Sequence, residues 1–488
     1  MELAAAAKRH TERVTLSRML ADDLETPISA FLKLCPTGPA FMLESAAGGE
    51  QVARYSFLGY NPFLTLKAEG FNVELEWRDG LKERKNGGPF QVLQQLINEY
   101  AIKLPADMPR FSGGAVGYFS YDLVSLLEPV GELPADELAL PAAYLQFMEN
   151  IVIFDHFTHK IHLTVNRLLR EGEERQAGEE AAAKTLQAME ELLAAPLPAQ
   201  VKGKREQPVA APVSNITKEA FVENVKRAKE YICAGDIFQV VLSQRFTIPV
   251  AEDPLTIYRR LRRVSPSPYM FLLRYPDVTL VGASPEMLAR VEGKRVTTRP
   301  IAGTRRRGAS EEEDRALAVE LQNDQKEMAE HAMLVDLGRN DLGRVAAYGT
   351  VNVRQYAKVE RFSHVMHLVS EVSGELAENY TAMDALIACF PAGTLTGAPK
   401  VRAMQIINEL EKAKRGPYGG AVGYFDFSGN MDTCITIRTM VIKEQKAYIQ
   451  TGAGIVADSV AEAEYHETMQ KAEAMFATLG VKQLDCSD

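Results

Sequence analysis

The chain has 488 residues, 46% hydrophobic and 25% charged, and carries a net charge of −10. This length suits about two to four domains or one large fold, and the acidic balance argues against general nucleic-acid binding. The N-terminal MELAAAAKRH lacks the apolar core of a signal peptide, and no run of about 18 apolar residues predicts a membrane helix. We therefore expect a cytoplasmic protein that binds neither nucleic acid nor a membrane.

The cysteines are few and scattered along the chain. They are Cys35, Cys233, Cys389, Cys434 and Cys486, and they form no CxxC pair or Cys/His cluster. This pattern fits a reducing compartment and argues against a disulfide framework or a structural zinc site.

Residues 1–165 form the first predicted region, in which short strands dominate. Alternating apolar and polar side chains predict the strands, and an amphipathic helical period predicts one helix. The predicted strands are 40–45, 54–59, 63–67, 73–77 and a pair within 144–165, and the predicted helix is 91–102.

Residues 166–214 form a predicted connector. Glu, Ala, Gln and Arg dominate up to residue 195, which predicts an exposed helix, and prolines follow among Lys and Gln residues. We expect a solvated spacer, helical and then extended, ahead of a second region at 215–488.

The second region alternates helices with strands. Predicted helices are 217–234, 255–264, 311–321, 324–345 and 382–389, and predicted strands are 238–246, 268–273, 278–283, 422–427, 435–442 and 447–450. Arg438 falls within one of these strands, where a cation among apolar residues needs a partner, and an anionic ligand is one candidate. The small residues TGAG at 451–454 predict a turn that lets the backbone approach a ligand.

One segment, GGAVGYF, occurs twice, at 113–119 and at 419–425. A single pair of matching segments does not indicate a solenoid, which would need several regular repeats. We expect two related sheet elements, one in each half of the chain.

A helix is predicted after the TGAG segment. Ser459 is a suitable N-cap, and Glu462 three residues later would complete a capping box. Glu464, Glu467 and Lys471 follow at spacings of three and four and therefore share one helix face. Taken alone, such a face is more often solvated than functional.

A second pair of carboxylates, Glu327 and Glu330, is predicted on a helix that Asp324 would cap. Two helices that each present such a pair could hold a hard divalent cation between them. Mg²⁺ favours few protein carboxylates, with water and substrate completing its octahedron. A di-iron bundle is not supported, because neither helix has Glu-x-x-His spacing.

Candidate anion donors lie outside these helices. Gly303 and Thr304 offer backbone and hydroxyl donors, and arginines at 305–307 add positive charge, although an exposed basic loop would have the same composition. The run FPAGTLTGAPK at 390–400 contains hydroxyls and a lysine but not the GxxxxGK[ST] pattern of a P-loop. On these residues alone, carboxylate binding and an exposed basic loop are about equally supported, and the sequence gives no indication of ATP binding.

These segments occur together in an order that resembles the chorismate-utilising enzyme family. The motifs are SPEM (284–287), PIAGTR (300–305), KEMAEH (326–331), VDLGRNDLGRV (335–345), HVMHL (364–368), FPAGTLTGAPK (390–400), GPYGGAVGYF (416–425), TGAG (451–454) and AEYHETMQK (463–471). FMLES (41–45) and RYSFLG (54–59) resemble the N-terminal regulatory region of the family's anthranilate synthase component I branch. The resemblance implies an α+β fold in which two large antiparallel β-sheets pack as a sandwich with helices on the outside.

The resemblance also implies a magnesium site. Glu330 and Glu467 would ligate Mg²⁺, and the metal would hold the ring carboxylate of chorismate. Glu327, Glu464 and Lys471 would support it through waters.

The remaining roles that the resemblance implies concern catalysis and substrate binding. Glu286 would be the general acid that protonates the leaving 4-hydroxyl, His367 would act on the ring, and Thr394 would line the site. The substrate-binding residues would be Gly303, Thr304, Tyr418, Arg438, Gly452, Ala453, Gly454 and Lys471.

Two positions distinguish branches of the family by their nucleophile. Members that activate water carry a lysine where this chain has Gln239, which cannot serve as that base. Aminodeoxychorismate synthases typically carry a nucleophilic lysine where this chain has Ala302. The remaining reaction of the family is addition of ammonia at C2 of chorismate with loss of pyruvate, which gives anthranilate. An aminodeoxychorismate synthase without the motif lysine and a catalytically silent tryptophan-sensing subunit stay open as alternatives.

The resemblance further implies partners. No cysteine lies in the Gly-flanked elbow of a glutamine amidotransferase, so a separate glutaminase subunit would deliver the ammonia, commonly in a heterotetramer. Ser45, Pro268, Tyr269 and Met270 resemble a site for L-tryptophan as feedback inhibitor, although the same residues could belong to ordinary core strands.

Overall fold

The computed structural model describes residues 12–21, 24–46, 54–101, 108–198, 210–362 and 365–481. The strands are β1 (Arg13–Ala21), β2 (Ala40–Glu44), β3 (Tyr55–Glu69), β4 (Asn72–Trp77), β5 (Lys82–Asn86), β6 (Gly114–Phe119), β7 (Ala143–Asp155), β8 (Lys160–Leu168), β9 (Val213–Ser214), β10 (Gln239–Pro249), β11 (Tyr269–Arg274), β12 (Thr279–Ser284), β13 (Met287–Glu292), β14 (Arg295–Thr298), β15 (Ile301–Arg306), β16 (Asn352–Arg361), β17 (Val365–Glu375), β18 (Gly397–Ala398), β19 (Ala421–Asp426), β20 (Met431–Ile435), β21 (Thr439–Lys443) and β22 (Lys446–Ile455). The helices are α1 (Pro27–Leu34), α2 (Pro89–Glu99), α3 (Arg175–Ala194), α4 (Lys218–Cys233), α5 (Pro254–Val264), α6 (Glu311–Asn323), α7 (Gln325–Gly343), α8 (Ala382–Cys389), α9 (Lys400–Leu410) and α10 (Ala461–Leu479), with short 3₁₀ helices at Tyr121–Leu126 and Gly393–Leu395.

Two long strands, β3 and β7, connect the two halves of an antiparallel sheet. β3 pairs first with β2 and then with β4, while β7 pairs first with β6 and then with β8. One half continues from β2 through β11, β12, β21 and β22 to β10, and the other from β6 through β19, β20, β13 and β14 to β17. The predicted α+β class with antiparallel strands is confirmed. The two expected sheets are hydrogen-bonded into one, because β3 and β7 belong to both.

The core forms three layers around this sheet. Side chains from both halves share one cluster, which includes Phe41 of β2, Phe271 of β11, Val116 of β6 and Tyr424 of β19. On the outer faces, α1, α3, α5 and α10 cover one half, and α2, α7 and α8 cover the other. Burial of apolar side chains on both faces of the sheet explains why so many of its strands have few polar residues.

The two GGAVGYF segments lie side by side as β6 and β19. They pair antiparallel with Gly117 opposite Gly423. Asp426 follows the second copy and accepts hydrogen bonds from the backbone amides of Ser112 and Gly113 at 2.9 and 3.2 Å. The prediction of two related sheet elements is confirmed, and they are direct neighbours across the two halves of the chain.

The connector contains the predicted helix, but the helix is not a solvated spacer. α3 buries Gly178, Ala182, Leu186, Met189 and Leu193 against the sheet. These residues recur at a helical period that the surrounding Glu and Gln residues obscure. The prolines at 196, 198 and 212 lie outside helices, and residues 199–209 are outside the described part of the chain.

Three local predictions near the C-terminus were wrong. The TGAG segment is not a turn but the end of β22, and the predicted strand 435–442 is interrupted before β21 by residues 436–438. The Ser459 capping box does not form, because the Ser459 hydroxyl accepts a hydrogen bond from the backbone amide of Val456 at 3.0 Å and α10 begins two residues later. Gly480 ends α10 as predicted, at φ 83°.

Candidate active site

A cavity of about 230 Å³ lies where β10 and β22 meet α7, β17 and the Gly393–Leu395 helix. Most of the predicted site residues line it: Glu286, Thr304, Glu330, His367, Thr394, Tyr418, Arg438, Gly452, Gly454 and Lys471. Gln239 and Ala302, the two positions that distinguish the family's branches, line it as well. The structure therefore brings together residues that are up to about half the chain apart in sequence.

Glu286 is the buried acid of the cavity. It directly precedes β13 and is 8% exposed. Thr394 donates a hydrogen bond from its hydroxyl to Glu286 Oε1 at 2.9 Å. Burial raises the pKa of Glu286 to about 8, against the opposing effects of the Thr394 hydrogen bond and the charge of Lys471. At neutral pH this carboxyl group therefore keeps its proton and can donate it.

His367 is held in one tautomer by a bulge in β15. Gly303, at φ 64°, interrupts the pairing of β15 with β17, a conformation that glycine adopts without strain. Its carbonyl oxygen lies 2.9 Å from His367 Nδ1, and the Thr304 hydroxyl lies 3.1 Å from the same nitrogen. A carbonyl can only accept, so Nδ1 carries the proton and Nε2 is left with a lone pair in the neutral ring.

The environment also keeps the His367 ring neutral. Burial lowers the pKa of His367 and the charge of Arg438 acts in the same direction, while the hydrogen bond to Gly303 opposes them. His367 is thus a base whose free nitrogen is Nε2.

Arg438 lies in the break between β20 and β21, not within a strand, at φ 50°. Its side chain lines the cavity, and within the described ranges no carboxylate lies within salt-bridge distance of it. Burial lowers the pKa of Arg438, and Tyr418 opposes this. A guanidinium in a cavity without an acidic partner is suited to bind an anionic ligand.

β22 brings the TGAG residues to the cavity by strand alternation. Gly452 and Gly454 face the cavity, while Ala453 is fully buried on the opposite face among side chains of α4 and α9. The Gly452 carbonyl accepts a hydrogen bond from Lys471 Nζ at 3.0 Å. A Cβ at Gly452 would lie 2.7 Å from the Tyr418 hydroxyl, so a larger residue would displace that hydroxyl. The Ala453 side chain is thus not in the cavity.

Sequence reasoning missed Val241 and Gln450, which also line the cavity. They lie two residues from Gln239 and Gly452, respectively. Because strand side chains alternate with a period of two, the same face of β10 and β22 must present all four positions. The alternation was visible in the sequence and would have indicated both residues.

The four predicted metal-site carboxylates converge from α7 and α10. Burial raises the pKa of Glu330, and the negative charges of Glu327 and Glu467 add to this. Glu467 pairs with Lys471 at 2.7 Å, and Glu464 has a buried carboxylate oxygen with no hydrogen-bond partner.

Compensation of these carboxylates is incomplete. Glu327 pairs with Arg305 at 3.1 Å, whereas Glu330 has no such partner among the described residues. No three His, Cys, Asp or Glu side chains in those ranges are placed to hold a metal ion as they stand. Mutual repulsion and an orphaned buried oxygen are nevertheless what a divalent cation would relieve, so these residues fit such an ion.

A second, smaller cavity of about 50 Å³ lies between β2, β11 and β19. All four residues predicted to bind tryptophan line it: Ser45, Pro268, Tyr269 and Met270. The aromatic rings of Tyr55, Phe57, Phe271 and Tyr424 complete its wall.

Sequence reasoning missed the polar side of this second cavity. Arg290 Nε donates to Asp432 at 2.9 Å, and the Tyr269 hydroxyl donates to the same carboxylate at 3.0 Å. Residues 422–424 of the second GGAVGYF copy also line the cavity, so the repeat marked one of its walls but indicated neither Arg290 nor Asp432.

No helix in the described ranges combines the length and the apolar content needed to cross a membrane.

The profile of the chorismate binding enzyme family matches residues 38–477. The chain is 48% identical over 462 residues to anthranilate synthase component 1 of Acetivibrio thermocellus, covering 94% of this chain and 93% of that protein. It is 45% identical over 478 residues to the protein of the same name from Pseudomonas putida, with 96% of each chain covered.

Solved structures agree with this grouping. Anthranilate synthase component I from Streptococcus pneumoniae TIGR4 is 40% identical, with a TM-score of 0.78 over 94% of this chain and 99% of that one. The menaquinone-specific isochorismate synthase of Escherichia coli is 18% identical, with a TM-score of 0.72 over 97% of this chain and 96% of that one, and shares the fold. The chain therefore belongs to the chorismate binding enzyme family, within the group of anthranilate synthase component 1 enzymes.

Proposed function

We propose that this enzyme converts chorismate and ammonia to anthranilate, pyruvate and water. The observation that carries the proposal is a protonated acid, Glu286, in a cavity that has no lysine at the two positions where other branches use one. Gln239 and Ala302 stand there instead. Neither can activate water or attack the ring, so the nucleophile must enter as a separate molecule.

In the first step ammonia forms a bond to C2 of the ring and the 4-hydroxyl leaves. Glu286 gives its proton to that hydroxyl, which departs as water, and the proton that the newly attached ammonium group then loses restores the acid. Thr394 orients the acid through the hydrogen bond to Oε1. The negative carboxylates of chorismate would be held by Arg438 together with the Tyr418 hydroxyl and the backbone at Gly452.

In the second step C2 of the ring loses its proton and the ring C–O bond to the enolpyruvyl group breaks, which makes the ring aromatic. The released enolpyruvate takes up a proton at its methylene carbon and becomes pyruvate. His367 Nε2 is the base best suited to take the C2 proton, because its Nδ1 is committed to the Gly303 carbonyl. A neutral imidazole with a lowered pKa is ready to accept a proton at pH 7.

Mg²⁺ is the proposed cofactor. Glu330 and Glu467 would ligate it, with Glu327 and Glu464 in the water shell and Lys471 beside them. When bound, the ion would supply the positive charge that holds the ring carboxylate of chorismate. The raised pKa of Glu330 and the orphaned oxygen of Glu464 support this assignment.

Ammonia is proposed to come from a separate glutaminase subunit. Cys35 and Cys389 are buried, and burial raises the pKa of each thiol to about 12, so neither is a nucleophile at neutral pH. The relatives are named component 1, which implies a second component. We propose a heterotetramer of two copies of each subunit in the cytoplasm, where free thiols stay reduced.

L-Tryptophan is the proposed feedback inhibitor, bound in the cavity that Ser45, Pro268, Tyr269 and Met270 line. An indole suits its aromatic wall, and the Arg290–Asp432 pair supplies charged groups beside it. The β13 strand that carries Arg290 begins directly after Glu286, so the two cavities share one strand.

Product identification tests the proposed function. The chain alone is incubated with chorismate, Mg²⁺ and an ammonium salt, and products are separated and quantified. We expect fluorescent anthranilate and pyruvate in equal amounts. Aminodeoxychorismate without pyruvate would support the branch that normally carries the motif lysine, and no product in the presence of bound chorismate would support a silent sensor.

A further inference from the structure

Arg415 lies behind the cavity in the loop between α9 and β19 and is 2% exposed, one of the largest fully buried side chains among the described residues. Its guanidinium pairs with Glu411 through two bonds, Nε to Oε2 at 2.8 Å and Nη2 to Oε1 at 2.6 Å. Removal of a charge this large from water is costly, so a residue that serves only packing would be apolar.

The remaining donors of Arg415 join two walls of the cavity. Nη1 donates to the carbonyl oxygen of Leu395 at 2.7 Å, and Nη2 donates to that of Val241 at 2.7 Å. Leu395 follows Thr394 in the short helix that orients Glu286. Val241 lines the cavity on β10, two residues after Gln239.

A third wall is held by the face of the same guanidinium. Arg415 lies 5.7 Å from the ring centroid of Tyr418 and 4.6 Å from that of Tyr121. Tyr418 lines the cavity beside Arg438. A cation over an aromatic face favours a fixed ring position and so fixes the hydroxyl at its end.

The anchor of Arg415 is itself fixed. The carboxylate of Glu411 accepts hydrogen bonds from the backbone amide and the hydroxyl of Ser243 on β10, both at 2.8 Å. Asp122 accepts from the backbone amides of Arg415 and Gly416 at 3.3 and 2.8 Å. The guanidinium therefore has little freedom to turn.

We infer that Arg415 is a positioning residue that aligns the Glu286–Thr394 acid with the substrate-binding Tyr418 across the cavity. It does not touch the substrate. It acts through the backbone carbonyls of Leu395 and Val241 and through the ring face of Tyr418. Only a planar guanidinium with several N–H donors can contact all three at once. The inference rests on the proposed function, because it concerns the same reaction.

Arg415→Lys tests the inference, since lysine keeps the charge but cannot span Glu411, Leu395 and Val241 together. Arg13→Lys is the matched control. In the wild-type chain the Arg13 guanidinium also lies over an aromatic ring, 3.9 Å from the centroid of Phe427, and it donates a hydrogen bond to the Tyr100 carbonyl at 2.9 Å. Neither contact involves a residue that lines the cavity. We expect Arg415→Lys to lower kcat/KM for chorismate by about 10- to 100-fold, as small misplacements of reacting groups do, while Arg13→Lys leaves it within about twofold.

The pH profile separates positioning from a general loss of stability. If the Thr394 turn shifts, Glu286 loses a hydrogen bond that favours its charged form, so the alkaline limb of kcat/KM should move to higher pH in Arg415→Lys. An unchanged kcat/KM and pH profile in a folded Arg415→Lys variant would overturn the inference. So would a loss of activity that only parallels the fraction of unfolded protein.

A second variant covers the case in which Arg415→Lys does not fold. Arg415→Met combined with Glu411→Leu replaces the buried pair by apolar side chains of similar volume, a change that often preserves stability. We expect this variant to fold and stay at least about tenfold impaired. Full recovery of kcat/KM would refute a positioning role. If the wild-type chain makes no anthranilate, the proposed function is wrong. If the wild-type chain is active and Arg415→Lys is equally active, only the positioning role of Arg415 is wrong.

Discussion

The two cavities differ in how their charges are compensated. In the catalytic cavity, Arg438 has no acidic partner among the described residues, and Glu330 faces other carboxylates. In the second cavity, Arg290 is paired with Asp432, which also accepts from Tyr269. The charges of the catalytic cavity are therefore suited to those that the proposed substrate and metal would bring. In the second cavity the charges of Arg290 and Asp432 already balance each other, and the aromatic wall suits a mostly apolar ligand.

This difference predicts that the two cavities respond differently to substitution. Removing a charged side chain that has no protein partner should impair ligand binding without lowering the free energy of unfolding. Removing one member of a buried ion pair instead leaves the other charge buried without its partner, which lowers the free energy of unfolding.

The largest effect is expected at the proposed metal ligands. Glu330→Ala and Glu467→Ala should abolish turnover, because each removes a charge on which Mg²⁺ binding would depend. Turnover with increasing Mg²⁺ and direct calorimetric titration of Mg²⁺ measure this. Glu473→Ala, an exposed position on the same helix as Glu467, is the control. Normal activity and normal Mg²⁺ binding in either variant would refute the metal assignment.

Loss of the general acid should follow in size. Glu286→Gln keeps the shape and the contact with Thr394 but cannot give up a proton, so kcat should fall by about 10²- to 10⁴-fold. Chorismate affinity, measured at equilibrium, should change little. A kcat reduced by less than about fivefold would show that another group protonates the leaving hydroxyl.

Stability measurements test the contrast between the cavities itself. Arg290→Met should lower the free energy of unfolding by about 1 to 3 kcal/mol, because Asp432 is 5% exposed and keeps only the more distant Arg110, at 3.7 Å, as a cationic partner. Arg438→Met should leave the free energy of unfolding unchanged or raise it, while chorismate binding is lost. Equal destabilisation by the two changes in denaturant titrations would contradict the distinction.

The smallest effect on uninhibited catalysis is expected at the proposed tryptophan site. Ser45→Phe should fill part of the second cavity and relieve tryptophan inhibition, and Ser45→Ala should weaken it. The rate without tryptophan should stay largely intact in both variants and serves as the internal control. Inhibition that persists unchanged in Ser45→Phe would place the effector site elsewhere.

The sequence predicted the elements well where local signals decide them. Asp324 caps α7, accepting from the amides of Lys326 and Glu327, and Thr217 caps α4, as the residue types indicate. Both carboxylate pairs lie on the helices where spacing put them. Local sequence signals could not predict which distant strands pair. β2 and β6 pair with strands more than two hundred residues away, and these pairings let β3 and β7 join the two halves of the sheet.

Local propensity failed where tertiary contacts decide the backbone. Ser459 has the right side chain for an N-cap, but its hydroxyl is taken by Val456. Arg438 looked like a strand residue, yet the cavity holds it at a positive φ. The small residues of TGAG did not identify the backbone form of this segment, because a strand and a turn can both contain glycine.

The pH dependence of kcat/KM for anthranilate formation tests the central claim, that the catalytic cavity keeps Glu286 protonated beside a neutral His367. Rates are measured from about pH 5 to about pH 10 with free ammonia, expressed per concentration of unprotonated NH₃. Glu286 acts while protonated, and its pKa is about 8, so the wild-type profile should fall above about pH 8. The acid limb should lie below the usual histidine value of about 6.5, because burial lowers the pKa of His367. A wild-type profile with no alkaline limb, or the same limb in Glu286→Gln, would contradict the account.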